Sequence, residues 1–275
     1  DAYIRYMLTA NDDQTIYLFD KHFAQTAPSM GESYEVPKYF SKERDLFSIL
    51  GDRRPDHRWL IMGPKRSGST FHKDPNGTSA WNACVRGAKK WILLPPDRIP
   101  CGVHASPNGV DVTSPVSLVE WFLNFYHQLS DMDVDSIECI QRPGDIVFVP
   151  CGWWHCVLNL EEAIAITQNY VSVSNLRRVL QAIRLPERVS GVSHERRPGF
   201  RSAFIEALRS HRPDIYRKYV QGANQNNGSQ KPGKNPSGLA ALFIKEGSKS
   251  GGVDFSTDNA GGALFTFGFS SIADE

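Results

Sequence analysis

Two histidines and an aspartate could do chemistry together. His72 and Asp74 occur in Gly68-Ser69-Thr70-Phe71-His72-Lys73-Asp74-Pro75, and His155 closes Val149-Pro150-Cys151-Gly152-Trp153-Trp154-His155. Side chains alternate faces along a β-strand, so His72 and Asp74 point one way and Lys73 the other. The third ligand has to come from a distant strand. His155 is placed by Asp145-Ile146-Val147-Phe148-Val149-Pro150, an apolar run after a Pro143-Gly144 turn that reads as the strand delivering it. Two imidazoles and one carboxylate fill one face of an octahedron and leave the opposite face open. That is the donor set of Fe(II) centres that bind a co-substrate and O2. A lone H-x-D triplet is weak evidence, since His is common at strand ends and Asp before Pro in turns. The setting of both segments, with a basic residue downstream, predicts an oxygenase site.

The basic residue lies in Ala80-Trp81-Asn82-Ala83-Cys84-Val85-Arg86-Gly87-Ala88-Lys89-Lys90-Trp91-Ile92-Leu93-Leu94-Pro95, which reads as strand, Arg-Gly turn, strand: a hairpin following the ligand strand. Lys89 and Lys90 must face opposite ways, so at most one points inward. An inward ammonium needs an anion, because an unpaired buried charge loses its proton or destabilises the fold. The distal carboxylate of 2-oxoglutarate would be such an anion.

Several blocks in order carry a family resemblance: Arg58-Trp59-Leu60-Ile61-Met62-Gly63-Pro64-Lys65-Arg66-Ser67-Gly68, the H-x-D, Gly77-Thr78-Ser79-Ala80-Trp81-Asn82, Gly152-Trp153-Trp154-His155 and Ile164-Ala165-Ile166-Thr167-Gln168-Asn169. Together they resemble a JmjC domain, over roughly Tyr3 to Arg184 and, more weakly, a helical C-terminal part. Within the JmjC proteins the chain is most similar to the lysyl-5-hydroxylase and arginine demethylase (phosphatidylserine-receptor-like) subfamily. The resemblance implies a double-stranded β-helix, a cupin-like jelly roll, mainly β with added helices. It implies Fe(II) on His72, Asp74 and His155. For 2-oxoglutarate it implies Lys89 on the distal carboxylate, hydroxyl support from Thr167 and Tyr17, and Asn82 near the metal end. Ser69 stands where relatives often carry Thr and keeps the hydroxyl.

The 275 residues are 40% hydrophobic, enough for one substantial core, and the net charge of +1 gives no global drive toward nucleic acid or a membrane. Basic clusters at Arg177-Arg178 through Arg184 and at Arg196-Arg197, Arg201 and Arg209 read first as solvated helix faces and second as a surface for weak nucleic-acid contact. Five cysteines without paired spacing (Cys84, Cys101, Cys139, Cys151, Cys156) read as reduced thiols in a nuclear or cytosolic setting. No signal peptide, membrane span or lipidation motif is visible. The family usually has structure before this point, so residues preceding Asp1 are expected.

Residues 1–57 read as N-terminal elements, including a first helix and a strand at Tyr17, and 58–172 as the barrel core. A helical insert at 114–130 would be opened by Ser114 and Pro115 and would pack Leu118, Trp121, Phe122, Phe125 and Leu129 as a stripe. Residues 173–220 read as helices, the first capped at Ser174, and in the related family such helices assist homodimer formation or substrate docking. The Gly-, Asn- and Ser-rich stretch 221–275 reads as a mostly disordered tail, with apolar pieces at Leu239–Ile244 and Ala263–Phe269 able to dock on the domain.

The resemblance favours hydroxylation of a lysine in a lysine- and arginine-rich nuclear protein, with O2 as the other co-substrate. Demethylation of N-methyl arginine or lysine is the second enzymatic reading. A binding or adaptor module without turnover is the reading from a different class.

Overall fold

Antiparallel strands in two facing sheets build the scaffold. The computed structural model describes residues 1–12, 15–106, 112–114, 117–132 and 136–221, together with the backbone of 243–244 and 265–266. The strands are β1 (Leu18–Asp20), β2 (Arg58–Gly63), β3 (Gly68–His72), β4 (Ser79–Arg86), β5 (Lys89–Leu94), β6 (His104–Ala105), β7 (Val112–Thr113), β8 (Ile137–Gln141), β9 (Asp145–Val149), β10 (Trp154–Asn159) and β11 (Ala163–Tyr170). The larger sheet has the order β1-β2-β11-β4-β9, and the smaller the order β3-β10-β5-β8. This is the cupin-like jelly roll with added helices that the family resemblance implies.

From β2 to β5, and again from β8 to β11, each successive strand lies in the other sheet. The expected β4–β5 hairpin is therefore a correction. The two strands are joined by a tight Gly87 corner but do not pair: β4 bonds to β11 and β9, and β5 to β10 and β8. Gly87 has φ +80, and a Cβ there would stand 2.2 Å from the Glu162 carbonyl oxygen, so the corner takes only glycine. The run preceding His155 is corrected in the same way. Asp145–Val149 is β9 of the larger sheet, and the chain turns through Gly152 (φ +79) before β10 carries His155 in the smaller one.

Period-2 alternation gives each sheet an inner and an outer face. Outer residues of the larger sheet, among them Leu60, Trp81 and Ile166, pack with Phe23 and Phe40. Phe71, Ile92 and Trp154 on the smaller sheet pack under helix Leu118–Asn124 through Trp121, with Phe122 and Phe125 half-buried beside it. The predicted stripe is thus core packing, but the helix starts later than expected. Its cap is Ser117, not Ser114: the Glu120 amide donates to Ser117 Oγ and the Ser117 amide to the Glu120 carboxylate, a capping box that outcompetes the upstream serine. Pro115 lies outside the described residues.

Helix Leu176–Ala182 also departs from expectation. Asn175, not Ser174, occupies the cap position, and its side chain accepts from the Ser172 amide and donates to Tyr170 O, tying the turn rather than the helix. This helix and Arg197–His211 share one core with Leu46, Phe47 and Leu50. Of the tail, Phe243–Ile244 and Phe265–Thr266 pair with β9; the remainder of the 221–275 expectation, beyond Gln221, lies outside the described residues. No helix among the described residues is long and apolar enough to cross a membrane. All five cysteines are free, with Cys84, Cys151 and Cys156 buried.

Candidate active site

His72 and His155 are register partners on β3 and β10, with ring centroids 4.1 Å apart. β3 ends at His72, and Asp74 lies two residues beyond it, its backbone still extended (φ −62, ψ 142); the ligand atoms of the three residues all lie within 4.8 Å of one another. The two imidazoles are oriented alike. His72 Nδ1 is 2.8 Å from Thr70 O and His155 Nδ1 is 3.2 Å from Trp153 O. A carbonyl oxygen can only accept, so each Nδ1 carries the proton and Nε2 is left as the ligand atom. Burial holds both imidazoles well below the ordinary histidine value, at about 4, with His155 adding repulsion at His72, so both are neutral at pH 7. Burial raises Asp74 to about 6 against the attraction of His72, and its Oδ2 is buried with no hydrogen-bond partner among the described residues. An orphaned carboxylate oxygen beside two neutral imidazoles fits a divalent cation that prefers nitrogen and oxygen donors.

A β-bulge helps build this face. Between the pairs His155–His72 and Val157–Ser69, β3 spends one residue more than β10. The extra residue changes parity, so Ser69 and His72, three apart, both line the cavity while Phe71 enters the outer core.

Lys89 is the inward lysine. It is 3% exposed and no carboxylate lies within ion-pair distance among the described residues; burial lowers it to about 8, against the opposing effect of Cys84. Lys90 faces out, paired with Glu138 and lying over the Tyr126 ring. Trp59, Thr167 and Asn82 form a register ladder across β2, β11 and β4. The Thr167 hydroxyl donates to Trp81 O at 2.9 Å, and Asn82 Oδ1 is buried without a partner among the described residues. Tyr17 precedes β1, its hydroxyl pKa raised by burial. One cavity is lined by Tyr17, Ser69, His72, Asp74, Asn82, Lys89, His155 and Thr167, so every site residue read from the sequence comes together.

Three further lining residues escaped the sequence. Asn159, the register partner of Lys89, donates to Ser67 Oγ at 2.8 Å and keeps a buried Oδ1 without a partner among the described residues. Its surroundings, Leu158-Asn159-Leu160-Glu161, carry no signal. Trp91 lies near-parallel to His155 at 6.2 Å, and its position two residues from Lys89 could have placed it on the inner face. Ser190 arrives from the helical C-terminal part, held by Asn76, whose Nδ2 donates to Ser190 O (2.9 Å) while the Ser190 amide donates to Asn76 Oδ1 (3.0 Å).

The basic residues of the C-terminal helices are partly structural. Arg178 donates to Cys151 O and Arg201 to Leu180 O, tying segments together rather than pointing freely into solvent.

Residues 2–175 match the model of the cupin-like domain. The chain belongs to the cupin-like domain family. The arginine-specific demethylase JMJ22 of Arabidopsis thaliana is 48% identical to it over 228 residues, which are 82% of this chain and 45% of that protein. The bifunctional arginine demethylase and lysyl-hydroxylase psr-1 of Caenorhabditis elegans is 39% identical over 220 residues, 78% of this chain and 52% of the relative. The JMJD4 homolog of Drosophila melanogaster, named as a 2-oxoglutarate and iron-dependent oxygenase, is 31% identical over 169 residues, 62% of this chain and 37% of the relative. The JmjC resemblance is borne out by these relatives. The chain spans about half the length or less of the relatives it matches.

Proposed function

We propose that this chain is an Fe(II)- and 2-oxoglutarate-dependent dioxygenase that hydroxylates a protein side chain, lysine first. One observation carries the reading: a three-donor cluster with an orphaned carboxylate oxygen and a buried lysine, neither with a partner among the described residues, share a single cavity. Iron bound with 2-oxoglutarate and O2 supplies an oxidant able to replace an unactivated C–H by C–OH.

The chain's own residues do the rest. His72, Asp74 and His155 would hold Fe(II) through two imidazoles and a carboxylate. Lys89 supplies the charge that fixes the far carboxylate of 2-oxoglutarate, and Tyr17 and Thr167 add hydroxyls. Asn82, whose Oδ1 has no partner among the described residues, lines the same cavity at what the resemblance makes the metal end. Trp91, Val149 and Val157 wall the cavity with apolar surface that excludes water.

The names of two relatives favour a second outcome at the same site. A hydroxyl placed on an N-methyl carbon gives N–CH2–OH, which releases formaldehyde and leaves N–H. Which carbon is presented decides between hydroxylation and demethylation.

Mass spectrometry of lysine- and arginine-rich peptides, unmethylated and methylated, after incubation with Fe(II), 2-oxoglutarate and O2 tests the reading, with His155→Ala as control. An added oxygen on unmethylated lysine establishes a hydroxylase; loss of methyl without stable oxygen gain establishes a demethylase. No product and no succinate from wild type, with iron bound, returns the chain to the adaptor reading.

The family resemblance extends the reading to a nuclear substrate and a nuclear location, with the cytoplasm second. It also supports a homodimer through the C-terminal helices, and their arginines support weak nucleic-acid contact. Light scattering and salt-dependent RNA binding test the last two.

A further inference from the structure

The cavity lining holds one lysine, Lys89, and one carboxylate, Asp74, and Asp74 belongs to the three-donor cluster. A cationic substrate side chain entering the cavity therefore meets no spare acid among the described residues of its wall. It meets aromatic rings. Phe19, 50% exposed, stacks on Trp59 with centroids 5.2 Å apart and planes at 26°, and Tyr17 meets Phe19 edge-on at 6.3 Å. All three line the cavity that contains the metal ligands.

Register explains why the rings share one face. Phe19 on β1 pairs with Ile61 on β2, and Ile61 is two residues from Trp59, which pairs with Thr167. The ladder thus runs from an exposed ring to a residue assigned to the co-substrate. An aromatic ring half in water at the mouth of a deep cavity contributes little to the core, but its π face attracts cations and its surface supports a methylene stem.

We infer that the Phe19–Trp59 pair is the recognition platform for the cation-bearing side chain of the substrate, a lysine or arginine with or without N-methyl groups. The inference rests on the protein-substrate reading above. The pair holds the methylene stem against the rings and the cation over a π face, in place of the carboxylate that the lining does not supply.

The test compares two labelled peptides, identical except that one carries lysine and the other norleucine, which keeps the stem and loses the charge. Their binding is measured by fluorescence polarisation without O2, with Fe(II) and 2-oxoglutarate present. Wild type prefers the lysine peptide. Phe19→Leu and, separately, Trp59→Leu raise its Kd about tenfold and change the norleucine Kd less than about twofold, because leucine keeps apolar surface but has no π face. Phe19 is exposed, so its replacement leaves the core intact. No change for the lysine peptide, or equal weakening of both peptides in Phe19→Leu, overturns the inference. Binding is read without turnover, so a wild type that prefers lysine yet makes no product refutes the oxygenase reading and leaves the platform standing.

Discussion

His155 lies opposite His72 across the β3–β10 pair, and each ring is locked by its own Nδ1 facing a carbonyl two residues earlier in the chain. The ligand geometry is therefore set by strand pairing and backbone carbonyls rather than by side-chain partners that could drift. A metal added to the wild type should stabilise only the folded chain. At a hundred times its Kd that is worth about 2.7 kcal/mol, or roughly 5–10 °C in Tm for a domain of this size. Calorimetry with Mn(II) or Fe(II) should show that shift in wild type and none in His155→Ala or Asp74→Ala.

Lys89 should make co-substrate affinity depend on pH. Its folded pKa of about 8 lies below the ordinary 10.5, so the ammonium is present below about 8 and lost above it. The Kd for 2-oxoglutarate should be flat below that point and rise about tenfold per pH unit above it. Titration at pH 7 to 9.5 checks this, and Lys89→Arg, charged throughout, should flatten the curve.

The same lysine should weigh on stability with a definite sign. Between about 8 and 10.5 the unfolded chain binds more protons than the folded one, so ligand-free stability rises with pH across that window. Below it the buried charge costs on the order of 3 kcal/mol. Lys89→Met should raise the urea midpoint of the ligand-free protein at pH 7 and abolish 2-oxoglutarate binding. A midpoint that falls would show that an unseen partner already satisfies the charge.

At Gly68 the backbone of β10 leaves no room for a side chain on β3. A Cβ there would stand 1.9 Å from Val157 O, at φ +148. Gly68→Ala should push the two ligand strands apart, lower stability by more than about 2 kcal/mol and remove metal binding. Thermal unfolding with and without Mn(II) separates the two losses.

Much of this site was legible because its residues obey local rules. The H-x-D spacing follows strand alternation, and the opposed faces of Lys89 and Lys90 follow the same period. What stayed hidden depends on which strands find each other. The Gly87 corner reads as a hairpin turn because turn chemistry is local, whereas the partner of each strand is decided by distant sequence. The bulge that turns Ser69 inward leaves no mark in Gly68-Ser69-Thr70-Phe71. Asn159 and Ser190 are ordinary polar residues until the fold puts them on the cavity wall.

The Asn76–Ser190 clamp gives the C-terminal helices a second meaning. Asn76 holds a left-handed backbone (φ +57) two residues beyond Asp74, and the Asp56 amide donates to Gly191 O on the other side of the clamped serine. The helical part is therefore masonry in the chamber wall, not an attachment bolted outside it. A barrel trimmed after residue 172 would be a room with one side missing: water would enter beside Asp74, and helices that carry no metal ligand would prove necessary to keep the reaction dry.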